Sequence, residues 1–227
     1  MKYEISMITK EDEKYPSILR DIHAPSTLYY MGDISITEQK CIAVIGQRKS
    51  DDRTLQIAKN LGAKLADNGY VVLNGLALGC DKYAVEGALS AGGKVVAIMA
   101  GGLNKIYPAS CQDTARKILE SGGCIISQYA PDVKPNKIRF VERDKTQAQL
   151  SKKIIVVDCR IKGGTMHTVE YGVQERREIG CFMETMRPSA EGNSYIVNKY
   201  HAYSIHDTDE LLHFVSIPEY EQVGMAL

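Results

Sequence analysis

The sequence has no net charge, with 28 lysines and arginines against 28 aspartates and glutamates. Nucleic-acid binders often carry a basic balance. Composition as a whole therefore argues slightly against such a partner, and any polyanion site must be a local basic patch. Tryptophan is absent, and cysteine is present without a metal pattern. Cys41, Cys80, Cys111, Cys124, Cys159 and Cys181 include no C-x-x-C pair, and most sit in or beside apolar runs. That usage argues against a zinc site and fits buried free thiols in a reducing compartment. The five histidines show no ligand spacing, so neither metal nor cofactor is expected. No apolar run reaches membrane-spanning length, and no amino-terminal stretch reads as a signal peptide. A cytoplasmic protein without membrane contact is expected.

Two phosphate-binding fingerprints are also missing. No G-x-G-x-x-G follows the first regular apolar run, which argues against a dinucleotide-dependent oxidoreductase, and no G-x-x-x-x-G-K-[ST] marks a P-loop NTPase.

What is present is alternation. Short apolar runs, near-continuous and rich in Val and Ile, occupy 41–45, 70–73, 95–99, 124–127 and 153–158, with a sixth candidate strand at 181–184. Such runs suit strands buried on both faces of a parallel sheet. Helix-length amphipathic stretches at 53–68, 81–91, 111–121 and 168–179 separate them. Leu55, Ala58, Leu61, Gly62 and Leu65 share one face of the first. Alternating signals of this kind imply βαβ units with right-handed crossovers. The fold class is therefore α/β: a Rossmann-like doubly wound, mostly parallel sheet with helices on both faces. Residues 1–40 read as an extension packing on a 41–227 core, with a short helix or turn followed by an extended segment. In the tail, 195–203 reads as a strand and 207–214 as a short helix with Asp207 as N-cap.

Glycine loops follow the strands: Gly46 after the first, Gly75 and Gly79 after the second, Gly101 and Gly102 after the third, and Gly163 and Gly164 shortly after the fifth. In an open parallel sheet these loops share the carboxyl edge, where ligands bind at the switch point of strand order. The helices that follow present free N–H groups suited to phosphate. Taken singly, each loop also fits a tight βα turn; four on one edge favour a phosphate-bearing ligand.

The loops are similar to those of a known family. Tyr15-Pro16 through Leu28-Tyr29-Tyr30-Met31-Gly32-Asp33 resembles the "YP..L..I..PP..LY..G" opening of the DprA/Smf proteins. Ile42-Ala43-Val44-Ile45-Gly46-Gln47-Arg48 resembles their "IAIVGSR", and Asn74 to Ala84 their "SGLA.GID..AH". Gly101-Gly102-Leu103 with Ile106-Tyr107-Pro108 resembles "G.GLD..YP", Phe140 to Lys145 stands at "FP.RNR", and Gly164 to Thr168 at "GSLIT". The match runs in order from about residue 15 to about 183. Departures fall at Gln47, Cys80, Val85 and Asp144, and the tail is too short for a clear winged-helix domain.

The resemblance implies a non-enzymatic protein that holds single-stranded DNA by its phosphates, acts as a homodimer and hands the strand to a RecA-type recombinase. It implies a phosphate pocket at Arg48, Arg143 and Lys145, with Lys49 a weaker candidate, beside Gly46, Gly75, Gly79, Gly101, Gly102, Gly164 and Thr165. Arg143 and Lys145 also fit a solvated charged turn, since Glu142 and Asp144 alternate with them. Asp144 beside a phosphate either pairs with a neighbouring cation or marks a changed ligand. Asp81 suits an N-cap, as does Thr165 or Thr168. Two alternatives stay open: a binder or sensor of a nucleotide-derived small molecule, and a LOG-like phosphoribohydrolase. The second rests on the partial echo of "PGGxGTxxE" around Gly163, Gly164 and Glu170, with His167 nearby.

Overall fold

A computed structural model describes residues 3–183 and 191–218. Among the described residues nine strands form one sheet: β1 (Ser6–Thr9), β2 (Thr27–Gly32), β3 (Cys41–Gly46), β4 (Val71–Asn74), β5 (Val95–Met99), β6 (Cys124–Ser127), β7 (Lys153–Asp158), β8 (Glu178–Phe182) and β9 (Tyr203–Ile205). Their spatial order is β1-β2-β6-β5-β4-β3-β7-β8-β9. β1 and β2 pair antiparallel with each other, and β2 runs antiparallel to β6. The pairs from β6 across to β9 are parallel. The first forty residues thus supply two strands of the main sheet.

The chain lays down β3, β4, β5 and β6 in one direction and then returns to place β7 on the other side of β3. That reversal is the topological switch point, and it opens a crevice beyond the carboxyl ends of β3 and β7. The ladder itself changes register there, with Ile45 opposite Val156 and Gly46 opposite Asp158.

Successive side chains of the buried strands serve opposite faces. Ile42 and Val44 join a core with Ala58, Leu61 and Leu65 of α1 (Asp52–Asp67), Ala84, Val85 and Ala88 of α2 (Cys80–Ser90), Ile118 of α3 (Gln112–Glu120) and Phe214 of α7 (Thr208–Ser216). Cys41, Ala43 and Ile45 join a second core with Ala148 and Leu150 of α4 (Lys137–Leu150), Met166 and Val169 of α5 (Gly164–Gln174) and Ile196 of α6 (Glu191–Tyr200). Helices therefore cover both faces, as expected of a doubly wound sheet.

Four local expectations are corrected. The stretch at 140–145 is no solvated turn; it lies inside α4, started by Asn136, whose side chain accepts from Arg139 N–H at 2.9 Å. The helix expected over 168–179 begins one turn earlier, at Gly164, and ends at Gln174, where Arg176 at φ 54° turns the chain. The following strand consequently starts at Glu178 rather than Cys181; residue 184 lies outside the described residues. Residues 195–200 belong to α6, with only 203–205 extended. Asn193 decides that segment: its amide donates to the carbonyls of Val157 at 3.1 Å and Phe182 at 2.8 Å, pinning a helix across two strand ends. Packing there overrides the strand preference of Tyr and Val. The tail helix does start at Asp207, which accepts from Glu210 N–H at 2.9 Å.

Among the described residues no helix is long and apolar enough to cross a membrane, and no cluster of His, Cys, Asp and Glu could hold a metal ion. All six cysteines are buried free thiols.

Candidate functional site

The crevice at the switch point is an open cavity of about 500 Å³. Its walls come from three loops and one helix. Gly46, Gln47, Arg48 and Lys49 follow β3; Arg160, Lys162, Gly163 and Gly164 follow β7 and lead into α5; Ala77 and Asp81 belong to the β4–α2 connection. Arg143, Asp144 and Gln147 enter from α4. Gly163 is the N-cap of α5, so the first free N–H groups of that helix stand at the cavity mouth, where the positive end of the helix dipole favours an anion. Thr165 ties two walls together, its hydroxyl donating to the Gly46 carbonyl at 3.1 Å.

The floor is an ionic cluster. Arg143 is 5% exposed and Asp144 8%, and Arg143 Nε lies 3.1 Å from Asp144 Oδ1. Arg143 Nη1 donates to the Ile98 carbonyl at 3.4 Å. The guanidinium fits because residue 75 has no side chain: a Cβ there would fall on Arg143 Nη1. Asp81 accepts from Gly75 N–H at 3.3 Å. Burial pushes the Asp81 carboxyl up to about 6, opposed by the Arg143 charge and by N–H bonds from Ala77 and Gly75. Burial likewise raises Asp144, with Arg143, His167 and Arg48 pulling the other way. Asp81 is thus a buried acceptor within the first turn of α2, whose N-cap is Gly79. Gly79 has φ +79° and packs on the Gln47 and Arg48 carbonyls, which leave no room for a side chain. The β4 loop is pressed against the β3 loop at that point.

Above the floor the cavity is cationic and open. Arg48, Lys49, Arg160 and Lys162 are all exposed, and their charges converge on one mouth. Aromatic surface borders it. The Arg48 guanidinium lies 5.1 Å from the Phe140 ring centroid and that of Arg143 5.9 Å. Phe140 in turn packs on Tyr107 with centroids 5.9 Å apart, and Tyr107 is half-exposed.

The structure therefore brings together Gly46, Arg48, Lys49, Arg143, Gly164 and Thr165 as cavity lining, with Gly75 and Gly79 shaping it from behind. It separates the others. Gly101 and Gly102 pack against the 130–135 segment, with Gly102 N–H donating to Val133 O at 2.7 Å, and neither lines the cavity. Lys145, on α4 beside Asp144, does not line it either. His167 and Glu170 are exposed on α5 outside the lining.

Three functional side chains of the lining were not among the candidates read from the sequence: Arg160, Gln147 and Lys162, which directly precedes the Gly163-Gly164 loop. Arg160 follows an apolar run at the same carboxyl edge as the glycine loops, and that position is a usable signal. Gln147 lies on a helix whose polar buried face gave no apolar period.

The chain matches the family model of DNA recombination-mediator protein A across residues 6–216. It belongs to that family. Protein Smf of Escherichia coli is 27% identical over 208 residues, covering 91% of this chain and 55% of the relative. The chain spans about half the length of the curated relatives it matches, from 44% to 59% for three of them. The X-ray structure of DNA processing protein A from Streptococcus pneumoniae superimposes with a TM-score of 0.84 at 24% identity, over 92% of this chain and 74% of that one. The Helicobacter pylori DNA processing protein A, described for its single-stranded DNA binding mode, superimposes with a TM-score of 0.80 at 25% identity, over 94% of both chains. The Rossmann-like DprA fold is thus shared along nearly the whole of this chain, and the family's field is DNA processing in recombination and transformation.

Proposed function

We propose that this chain is a non-enzymatic single-stranded-DNA-binding protein that holds strand phosphates in the switch-point crevice, acts as a homodimer and delivers the strand to a RecA-type recombinase. The observation that carries the DNA-binding part is the convergence of Arg48, Lys49, Arg160 and Lys162 on one mouth in a protein whose whole-chain charge is zero. Cations are concentrated where helix α5 presents its N-terminus, and both features favour a backbone phosphate. The half-exposed Tyr107 and its neighbour Phe140 offer a ring surface beside the cations, the combination that serves unpaired bases. Family membership and the likeness to the Helicobacter pylori protein support the same ligand. Dimer formation and delivery to a recombinase rest on family membership.

Exposure of Glu170 outside the crevice supports binding over glycosidic hydrolysis. The floor carboxylates are already paired or hydrogen-bonded, which removes the objection that Asp144 would repel a phosphate.

The test is fluorescence anisotropy with a single-stranded oligonucleotide at two salt concentrations, for wild type and Arg48→Ala. Salt-sensitive binding that weakens in the variant is expected. Wild-type binding with no salt slope, or none at all, would overturn the proposal, and thermal shifts with mononucleotides would then test the small-ligand alternative.

A further inference from the structure

Gln147 is 2% exposed and lines the cavity, and its amide makes no hydrogen bond to any described residue. The amide is not among the fully buried polar atoms that lack a partner, so it opens to the cavity, where a ligand's polar groups can take the place of solvent. Asp144 lies three positions earlier, on the same face of α4, and also lines the cavity. Its Oδ1 pairs with Arg143 Nε at 3.1 Å. A carboxylate has about four acceptor sites, so several remain for a ligand. The cavity floor therefore offers an amide donor next to a fixed carboxylate, below a mouth of cations.

We infer that Asp144 and Gln147 read the base of a bound nucleotide and select guanine, while the crevice cations hold its phosphate. The inference rests on the phosphate-binding role proposed above and adds a specificity to it. Guanine is the base whose Watson–Crick edge carries a carbonyl followed by two adjacent N–H donors. The Gln147 amide donates to the O6 carbonyl, and the Asp144 carboxylate accepts N1–H and N2–H side by side. Adenine and cytosine place a bare ring nitrogen beside their amino group, which would face a carboxylate lone pair. Thymine has a single N–H between two carbonyls and meets the same repulsion. A cavity of about 500 Å³ is within the range that accepts a small-molecule ligand. The guanine can arrive as one residue of a single strand or as a free nucleotide, since the recognised groups are the same.

The experiment compares an oligothymidine strand with strands of equal length carrying one central guanine, adenine or cytosine. Anisotropy is read for the full chain, Asp144→Asn and Gln147→Leu, alongside thermal shifts with dGMP and dAMP. A good bidentate pair discriminates bases by about tenfold or more. The guanine strand should therefore bind about tenfold more tightly than the others. Each variant should lose that margin, measured against its own oligothymidine affinity, and a cooperative thermal unfolding transition shows that it is folded. Should Asp144→Asn unfold, Gln147→Leu carries the test alone, because it exchanges an unpaired amide for an apolar group of similar size. Equal affinity for all strands, or a guanine margin kept in Gln147→Leu, overturns the inference and leaves the DNA-binding proposal standing. No strand binding, with stabilisation by dGMP but not dAMP, keeps the guanine site and removes DNA as its source. No response to either removes both.

Discussion

The Arg143 guanidinium occupies the volume that a side chain at Gly75 would need, so that a Cβ at residue 75 would coincide with Nη1. A strand-end glycine and a helix arginine 68 positions apart in sequence thus form one interlocking unit beneath the cavity. Gly75 is required here for space; its φ is not in the left-handed region.

Gly75→Ala should therefore behave as an overpacking mutation and lower unfolding free energy by about 1–3 kcal/mol in urea titrations. Arg143→Ala should cost more, about 3–5 kcal/mol, because it strands two buried carboxylates without their cation. A change below about 0.5 kcal/mol for Gly75→Ala, the size of an ordinary surface substitution, would show that the guanidinium does not need that slot.

Asp81 gives the cluster a pH signature. Its folded value is raised to about 6 by burial, above that of an unfolded aspartate, near 3.9. Between those two values the folded protein holds the extra proton, so this group's contribution to stability falls as pH rises through the window and is constant above it. The wild type should thus lose ground to Asp81→Asn from about pH 4 to pH 6, with a slope of at most about 1.4 kcal/mol per pH unit. Denaturant titrations at several pH values would measure it. A stability difference that stays flat across that window would contradict the burial account.

Binding electrostatics should separate the cavity cations from their neighbours. Each phosphate contact on single-stranded DNA contributes about 0.7 to the slope of log K against log salt. Arg160→Ala and Lys162→Ala should each weaken binding and flatten that slope by about this amount. Lys145→Ala should leave both affinity and slope unchanged, because Lys145 stands outside the lining. Equal losses at Lys145 and Lys162 would move the site off the crevice.

The thiols should be inert. All six are buried, and burial pushes Cys41, Cys80 and Cys159 up to about 12 and the other three upward as well. A thiolate is the reactive form, so a disulfide reagent should label the native protein only at its unfolding rate and label six groups at once in denaturant. Fast reaction of even one native thiol would place it at the surface.

Much of the frame was legible in one dimension. The runs at 95–99, 124–127 and 153–158 coincide with β5, β6 and β7 to the residue, because a strand buried on both faces is apolar along most of its length. α1 and α2 lie within one residue of their expected bounds, since an amphipathic face leaves a periodic trace. The glycine loops and Arg48 were readable because backbone constraint and local charge are properties of short segments.

α4 left no such trace. Its buried positions include Arg143, Asp144, Thr146, Gln147 and Gln149, so the face turned inward is polar and the apolar period is missing. The sequence by itself determined that a doubly wound sheet would present glycine turns and cations along one edge, because strand burial and turn chemistry are local. Only the tertiary structure decided which of those groups share a cavity. It seated Arg143 in the Gly75 slot, paired Asp144 with it, drew Arg160 and Lys162 to the mouth, and turned Gly101, Gly102 and Lys145 elsewhere. The reversal of strand order between β3 and β7 is a long-range choice, and the polar burial it imposes on α4 is satisfied by partners far away in the chain.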